Sequence, residues 1–525
     1  MTTVRDATFA VLRGCGLQRI FANPGSTEIP FLTDLPDDIE FVLGLHEGSV
    51  VGLATGHALA TGRPAMVNLH TTAGLGNAVG ALATARVNRA PLVVVVGQQD
   101  RRHLAQEPFL AGRLDGLAGT YPVWTHQPVQ PHDVPGAIRR AWHEAMLHHG
   151  PALVIVPSDD WLVELDPDLA MPSPPVVHRA AQDADPAVDE IVRMLDGATA
   201  PVLVVGAGAA DQASWDALVG LAERLGAPVW QEAFGARPGF PQDHPAFAGH
   251  LPTTRSQLRE TLAGHDVALV VGTCAVRQYT YQPGPALPAG LAVAVVSADP
   301  DELHHSYAEV AVLADPAAAC AAISARVALR PIAALPQRIP DAPPPDGPLR
   351  AEHVFAALAQ RLPRDVVLVE ETPSTRPALN RLLPARTPHG FVSAAMGGLG
   401  FGLPAAAGMR MGDPSRPVVA VLGDGSSMYA IQGLWSAARY GCGVLYVVLS
   451  NGRYAIMDAL ARRAGGKGPW PAFDDIDIAG MARSLHCEAR RIDTHDQLID
   501  ILDEVIPTLA ARDQPLLLDV QVPAV

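Results

Sequence analysis

Three doubly wound α/β domains, each built on a parallel sheet, are what this sequence predicts, and three observations predict them. Short, wholly apolar runs recur along the chain, each followed by a Gly or polar turn and then an amphipathic stretch. Two proline-rich segments cut the chain into blocks of similar size. The length, 525 residues, also exceeds what one core serves, since single hydrophobic cores stop growing near about 250–300 residues. Apolar strands alternating with helices imply parallel sheets covered on both faces.

The segment 166–186 carries Pro167, Pro172, Pro174, Pro175 and Pro186, and 331–348 contains the run Pro343-Pro344-Pro345. Neither shows helical or alternating periodicity, so both read as extended linkers. They leave blocks 1–165, 187–330 and 349–525. In the first, strands are expected at 19–22, 39–45, 65–69, 92–96 and 153–156. The stretch Glu47 to Ala60 places Val50, Leu53, Ala54 and Ala58 on one helical face. The middle block offers strands at 201–205, 267–271 and 291–296. The last offers 366–369, 417–422, 444–449 and 516–520, with a helical stretch from Ile431 to Tyr440. In such sheets ligands bind beyond the carboxyl ends of the strands, so the chemistry is sought there.

Composition narrows the class. The chain is 48% hydrophobic and 18% charged, as a soluble globular protein is, and no apolar run reaches the ~18 residues of a membrane span. The opening Met1-Thr2-Thr3-Val4-Arg5-Asp6 lacks the basic and apolar regions of a signal peptide. Five dispersed cysteines without CxxC spacing argue against a disulfide framework or a structural zinc site. A cytoplasmic enzyme is expected. The formal charge of −16 opposes nucleic acid and anionic membranes as partners, because both require a basic surface. Small anionic substrates depend on local fields and stay open.

The strongest chemical signal is in the last block. The apolar run Val418 to Leu422 enters Gly423-Asp424-Gly425-Ser426, and the next ends in Ser450-Asn451-Gly452-Arg453-Tyr454. Asp424 and Asn451 thus end consecutive parallel strands, which a right-handed crossover can make neighbours. One carboxylate and one amide oxygen suit Mg²⁺, which takes its other ligands from water and phosphate. The N–H groups of Gly425 and Ser426, at a helix start, suit a diphosphate. This pair resembles the signature of thiamine diphosphate (ThDP) enzymes. The resemblance implies ThDP and Mg²⁺ as cofactors, with Asp424, Asn451 and the carbonyl of Arg453 as metal ligands and Tyr454 beside the cofactor. Ser450 departs from the family, which has a second Asn there.

Most of the chain resembles the benzoylformate decarboxylases. The runs that carry this are 23–28 (Asn-Pro-Gly-Ser-Thr-Glu), 45–48 (Leu-His-Glu-Gly) and 68–77, which holds His70. The resemblance implies that Glu47 hydrogen-bonds the cofactor's aminopyrimidine and activates it. It gives His70 the proton transfers, Ser26 the substrate carboxylate or developing hydroxyl, and Gly25 a cofactor contact. Thr372-Pro373-Ser374 and the loop around Gly398 and Leu399 would also contact the cofactor, Leu399 as a wedge between its rings. The implied reaction is non-oxidative decarboxylation of a 2-oxo acid to an aldehyde through an enamine. The implied assembly is a homodimer or homotetramer with sites shared between chains.

The match fails in two places. Benzoylformate decarboxylases carry a second histidine in the middle domain, where this chain has Tyr279. A phenol donates a hydrogen bond but does not exchange protons at neutral pH as imidazole does. In the substrate pocket Ile456 is bulkier than the family's residue, while Leu460 and Ser393 replace aromatic side chains, which favours a smaller or aliphatic acid. A carboligase of the acetolactate synthase type is therefore a second reading. The run Gly206-Ala207-Gly208-Ala209-Ala210-Asp211 is an incomplete dinucleotide fingerprint, which keeps a nucleotide-binding oxidoreductase as a third. A non-catalytic scaffold would need none of Glu47, Asp424 and Asn451.

Overall fold

A computed structural model describes residues 2–165, 186–330, 343–344 and 346–524, so the linker predictions fall largely outside the described residues. The first block forms one six-stranded sheet from β1 (Arg19–Asn23), β2 (Glu40–Leu43), β3 (Ala65–Leu69), β4 (Leu92–Gln98), β5 (Trp124–His126) and β6 (Pro151–Pro157). The second contributes β7 (Pro201–Val205), β8 (Val229–Gln231), β9 (Phe247–His250), β10 (Val267–Val271), β11 (Ala292–Ser297) and β12 (Val310–Leu313). The third contributes β13 (Val367–Glu371), β14 (Phe391–Ser393), β15 (Val418–Gly423), β16 (Val444–Ser450), β17 (Glu488–Ile492) and β18 (Leu516–Gln521). All neighbouring strands within the sheets are parallel. The predicted fold class is the observed one.

Most of the strands that sequence reading predicts are buried along nearly their whole length, completely so in β3, β4, β7 and β10. Those it missed are short or lie at sheet edges, where water replaces a neighbour. In β12 buried and exposed residues alternate, and β17 reads Glu-Ala-Arg-Arg-Ile with one buried position. The run read as a strand over 39–45 pairs only through Glu40–Leu43, and the helix expected over 431–440 is Gly433–Arg439.

Strand order locates the crevices. The first sheet runs β2-β1-β3-β4-β6-β5, and the third repeats that order as β14-β13-β15-β16-β18-β17. In each the order reverses between the first and third strands, β1/β3 and β13/β15. Ligands of doubly wound sheets bind at such a reversal. Beyond β1 and β3 come Ser26 and His70; beyond β13 and β15 come Thr372 and Asp424. The middle sheet, β12-β11-β10-β7-β8-β9, has the strand order of dinucleotide-binding domains.

The first and third domains share one hydrophobic cluster, in which Val51, Leu53 and Ala54 join Leu403, Ala405 and Met409. The helices Glu47–Thr61 and Gly402–Gly412 approach closely because glycine faces backbone. A Cβ on Gly56 would lie 2.0 Å from the Ala405 carbonyl oxygen, and one on Gly408 would lie 1.9 Å from that of Leu53. Gly56→Ala is therefore expected to force the helices apart and destabilise the chain by at least ~2 kcal/mol, as overpacking does. The denaturant midpoint at unchanged slope reads this out. Beside this seam the Leu43 N–H donates to Tyr440 Oη at 2.7 Å and the Leu43 carbonyl accepts from Ser436 Oγ at 3.0 Å. Among the described residues no helix is long and apolar enough to cross a membrane.

Candidate active site

At the β1/β3 crevice, Ser26 opens a short 3₁₀ turn, Ser26–Glu28, and is exposed. His70 follows β3 and packs flat on Gly25, where an added Cβ would lie 2.4 Å from His70 Nδ1. Only glycine fits there. His70 Nδ1 lies 3.0 Å from Glu28 Oε2 and 3.0 Å from Thr27 Oγ1, and Glu28 is 1% exposed. Glu28 also accepts from the Gly25 N–H at 2.7 Å. A buried carboxylate against one ring nitrogen orients the imidazole and favours a proton on that nitrogen. The next residue, Thr71, holds φ of 31°, a strained position for a β-branched side chain. Sequence reading quoted Glu28 without giving it a role. That role comes from the turn and from Gly97 on β4, whose Cβ would collide with the Glu28 carboxylate.

Glu47 is the first residue of its helix and is 8% exposed. Its Oε2 accepts from Asn77 Nδ2 at 3.1 Å. His46 caps the same helix by accepting from the Gly48 N–H, an ordinary structural task.

At the β13/β15 crevice, Asp424 follows β15 and Asn451 follows β16, and these two strands are neighbours. Asp424 Oδ2 accepts from the N–H groups of Asn451 and Gly452, both at 2.7 Å, and Oδ1 from Gly425 N–H at 2.7 Å. Burial pushes the Asp424 carboxyl up, and these donors pull it back. Asp424 makes no ion pair with a basic side chain among the described residues. A buried carboxylate lacking a cationic partner fits a metal ion. Asn451 Oδ1 accepts from Arg453 N–H at 3.1 Å, and the Arg453 carbonyl accepts from Ala455 N–H at 2.9 Å. The Tyr454 ring covers Gly425, whose Cβ would lie 2.7 Å from it. Ser426 is buried in the same turn. Ser450, the departure noted above, donates to Asp519 Oδ1 at 2.5 Å. These donors fit a magnesium diphosphate. Among the described residues there is no cluster of three His, Cys, Asp or Glu side chains that could hold a metal.

The neighbouring β13 end supplies Glu370 and Glu371. Glu370 accepts from Thr372 N–H at 2.6 Å and pairs with Arg376 at 2.8 Å. Glu371 accepts from the N–H groups of Gly400 and Gly402 at 2.6 and 2.5 Å, so it clamps the loop bearing Gly398 and Leu399. Burial raises its pKa to about 7 despite those donors. Gly398 packs on Thr84 of the first domain.

A cavity of about 1570 Å³ opens between the middle and third domains. Pro373, Ser374, Leu399, Tyr279, Ile456 and Leu460 all line it, so six of the singled-out residues meet there. Ser393 lies behind the wall. It is 1% exposed, donates its N–H to the Ala236 carbonyl and accepts from Asn88 Nδ2 at 3.2 Å. Within one chain Ser26, His70 and Glu47 do not line this cavity. At the middle sheet's reversal, the Ala207 N–H donates to buried Glu232 at 3.3 Å, and Gly272 backbone packs on Gly208. The side of the turn that would receive a pyrophosphate faces a carboxylate, which a phosphate would repel.

The thiamine pyrophosphate enzyme family matches the chain in three parts: its N-terminal TPP binding domain over residues 2–117, its central domain over 188–323 and its C-terminal TPP binding domain over 374–520. A benzoylformate decarboxylase of Pseudomonas aeruginosa is 38% identical across 99% of both chains. A putative acetolactate synthase large subunit of Mycobacterium tuberculosis is 29% identical across 97% of both. Among solved structures, a ThDP-dependent 4-hydroxybenzoylformate decarboxylase of Rhodococcus jostii superposes with a TM-score of 0.92 at 35% identity, covering 100% of this chain and 99% of that one. A benzoylformate decarboxylase of Polynucleobacter necessarius gives 0.94 at 32% identity, with the same coverage. Three parallel sheets, paired crevices and these relatives together make the chain a member of the ThDP-dependent 2-oxo acid decarboxylase family.

Proposed function

We propose that this enzyme converts a 2-oxo acid, benzoylformate-like or smaller and aliphatic, to CO₂ and an aldehyde without net oxidation, using ThDP and Mg²⁺. The observation that carries this is the repeated strand order of the outer sheets, with Ser26 and His70 at one reversal and Thr372 and Asp424 at the other. When bound, ThDP supplies a nucleophilic carbon and an electron sink for the departing carboxylate's electrons. Asp424, Asn451 and the Arg453 carbonyl hold the metal, while Gly425, Ser426, Thr372, Pro373, Ser374 and Tyr454 surround the diphosphate. Leu399, Gly398 and Gly25 shape the space for the rings. Glu47 shares a proton with the aminopyrimidine. Ser26 binds the substrate carboxylate, and His70, oriented by Glu28, moves protons on the reacting carbon and oxygen. Tyr279, Ile456 and Leu460 bound the acyl group, with Ser393 supporting that wall from behind.

In this reading block 1–165 binds the pyrimidine, 187–330 is the middle domain and 349–525 binds the diphosphate and metal. The position of Glu47 and His70 away from the cavity of their own chain supports sites shared between chains in a homodimer or homotetramer. Five free cysteines among the described residues suit the reducing cytoplasm.

Incubation with ThDP and Mg²⁺ and acids from pyruvate through branched 2-oxo acids to benzoylformate tests the reading. CO₂ with an equivalent of aldehyde is the expected result. Acyloin as the major product would favour the carboligase reading, which draws on Tyr279 in place of an imidazole and on the acetolactate synthase relative. No CO₂ from any acid would overturn the decarboxylase.

A further inference from the structure

Two arginines without an anionic partner among the described residues line the cavity. Helix Arg376–Leu382 presents Arg381 to it, and helix Ala455–Arg463 presents Arg463. On the second helix Ile456, Ala459, Leu460 and Arg463 share one face, so the stripe passes from apolar to cationic along its length. Neither Arg381 nor Arg463 makes an ion pair among the described residues. The two acids on the wall are engaged: Asp243 pairs with Arg364, and Glu371 accepts the backbone N–H groups of Gly400 and Gly402.

A third donor comes from β9. Gln242 accepts the Ala385 N–H through its side-chain Oε1 at 2.8 Å, while its backbone N–H donates to the Ala385 carbonyl at 2.9 Å. This fixes the amide, so its NH₂ group faces His250 Nε2 at 3.4 Å. A ring nitrogen facing an NH₂ can only accept, which puts the imidazole proton on Nδ1. His250 lines the cavity, and its Nδ1 has no protein acceptor among the described residues. Burial and the nearby Arg376 hold its pKa near 4, so at neutral pH it is an uncharged donor in a positive field. Three donors without a free acceptor describe a place for an anion. In a chain of net charge −16, such a local positive field is not incidental to the surface as a whole.

We propose that His250, Arg381 and Arg463 form a subsite for a second acidic group at the far end of the substrate, which makes the preferred substrate a 2-oxo dicarboxylic acid. This rests on the decarboxylase reading above and names its substrate class. The donors bind the distal carboxylate, and the apolar stripe Ile456, Ala459 and Leu460 packs on the carbons between it and the keto group.

The test compares length-matched acids on the holoenzyme, 2-oxohexanedioate against 2-oxohexanoate, by kcat/KM for CO₂ release. A ratio of about tenfold or more in favour of the diacid is expected, the size that charge-assisted hydrogen bonds give. In the Arg381→Ala/Arg463→Ala double variant the ratio should fall towards one, chiefly through KM. A ratio at or below one in the wild type, or one unchanged in the double variant, would overturn the subsite. If neither of these two acids releases CO₂, the decarboxylase reading is judged by the panel from pyruvate to benzoylformate, and calorimetry judges the subsite. Tighter binding of hexanedioate than of hexanoate, lost in the double variant, supports it; equal binding overturns it.

Discussion

Glu47→Gln is expected to lower kcat for CO₂ release by about 10³-fold, within the range that a positioned acid–base group contributes. Glutamine keeps the shape and can still accept from Asn77 Nδ2, which lies 3.1 Å from the carboxylate. The loss of a charge at a helix N-terminus costs only ~0.3–1 kcal/mol, so the fold survives. Cofactor affinity should change little, while exchange of the thiazolium C2 proton with solvent slows in parallel with kcat. Proton NMR of the bound cofactor reads that exchange. Exchange at the wild-type rate with normal turnover would reduce Glu47 to a helix-end carboxylate.

Asp424→Ala should abolish cofactor binding. In the wild type, ThDP with Mg²⁺ at a hundredfold excess over Kd adds about 2.7 kcal/mol of stability, visible as a rise in Tm. The variant should show no rise. It also leaves the N–H groups of Gly425, Asn451 and Gly452 without their acceptor, and each such loss costs ~1–3 kcal/mol where the donor is buried. A lowered apo Tm is therefore expected as well. Asp424→Asn, which retains one acceptor oxygen, separates the two effects: it should recover part of the apo stability and little of the cofactor response. A full response in either variant would leave Asp424 as a carboxylate that closes a turn.

The interior of each sheet was legible because its strands are apolar on both faces, and short apolar runs alternating with amphipathic helical stretches read as buried parallel strands. β9 was not, and with it His250 was missed, because its four residues are mostly half-exposed. The neighbourhood of Asp424 and Asn451 could be read from strand succession alone, since a crossover between consecutive strands allows few arrangements. The partnership of Glu28 with His70 could not. It joins positions 42 apart through a 3₁₀ turn, and no periodicity encodes such a contact. Ser393 is the opposite case: the resemblance placed it in the substrate pocket, whereas it is 1% exposed and does not line the cavity.

The glycine seam between the helices Glu47–Thr61 and Gly402–Gly412 bears on how the chain is made. About 340 residues separate the two helices, and at ~5–20 residues per second their synthesis takes on the order of half a minute. During that interval the nascent first domain carries an apolar helix face whose cover has not yet left the ribosome. Its sheet can close early, but Val51, Leu53 and Ala54 remain without their partners Leu403, Ala405 and Met409. Chaperone demand should therefore fall on the N-terminal domain, until the last third of the polypeptide arrives to cover it.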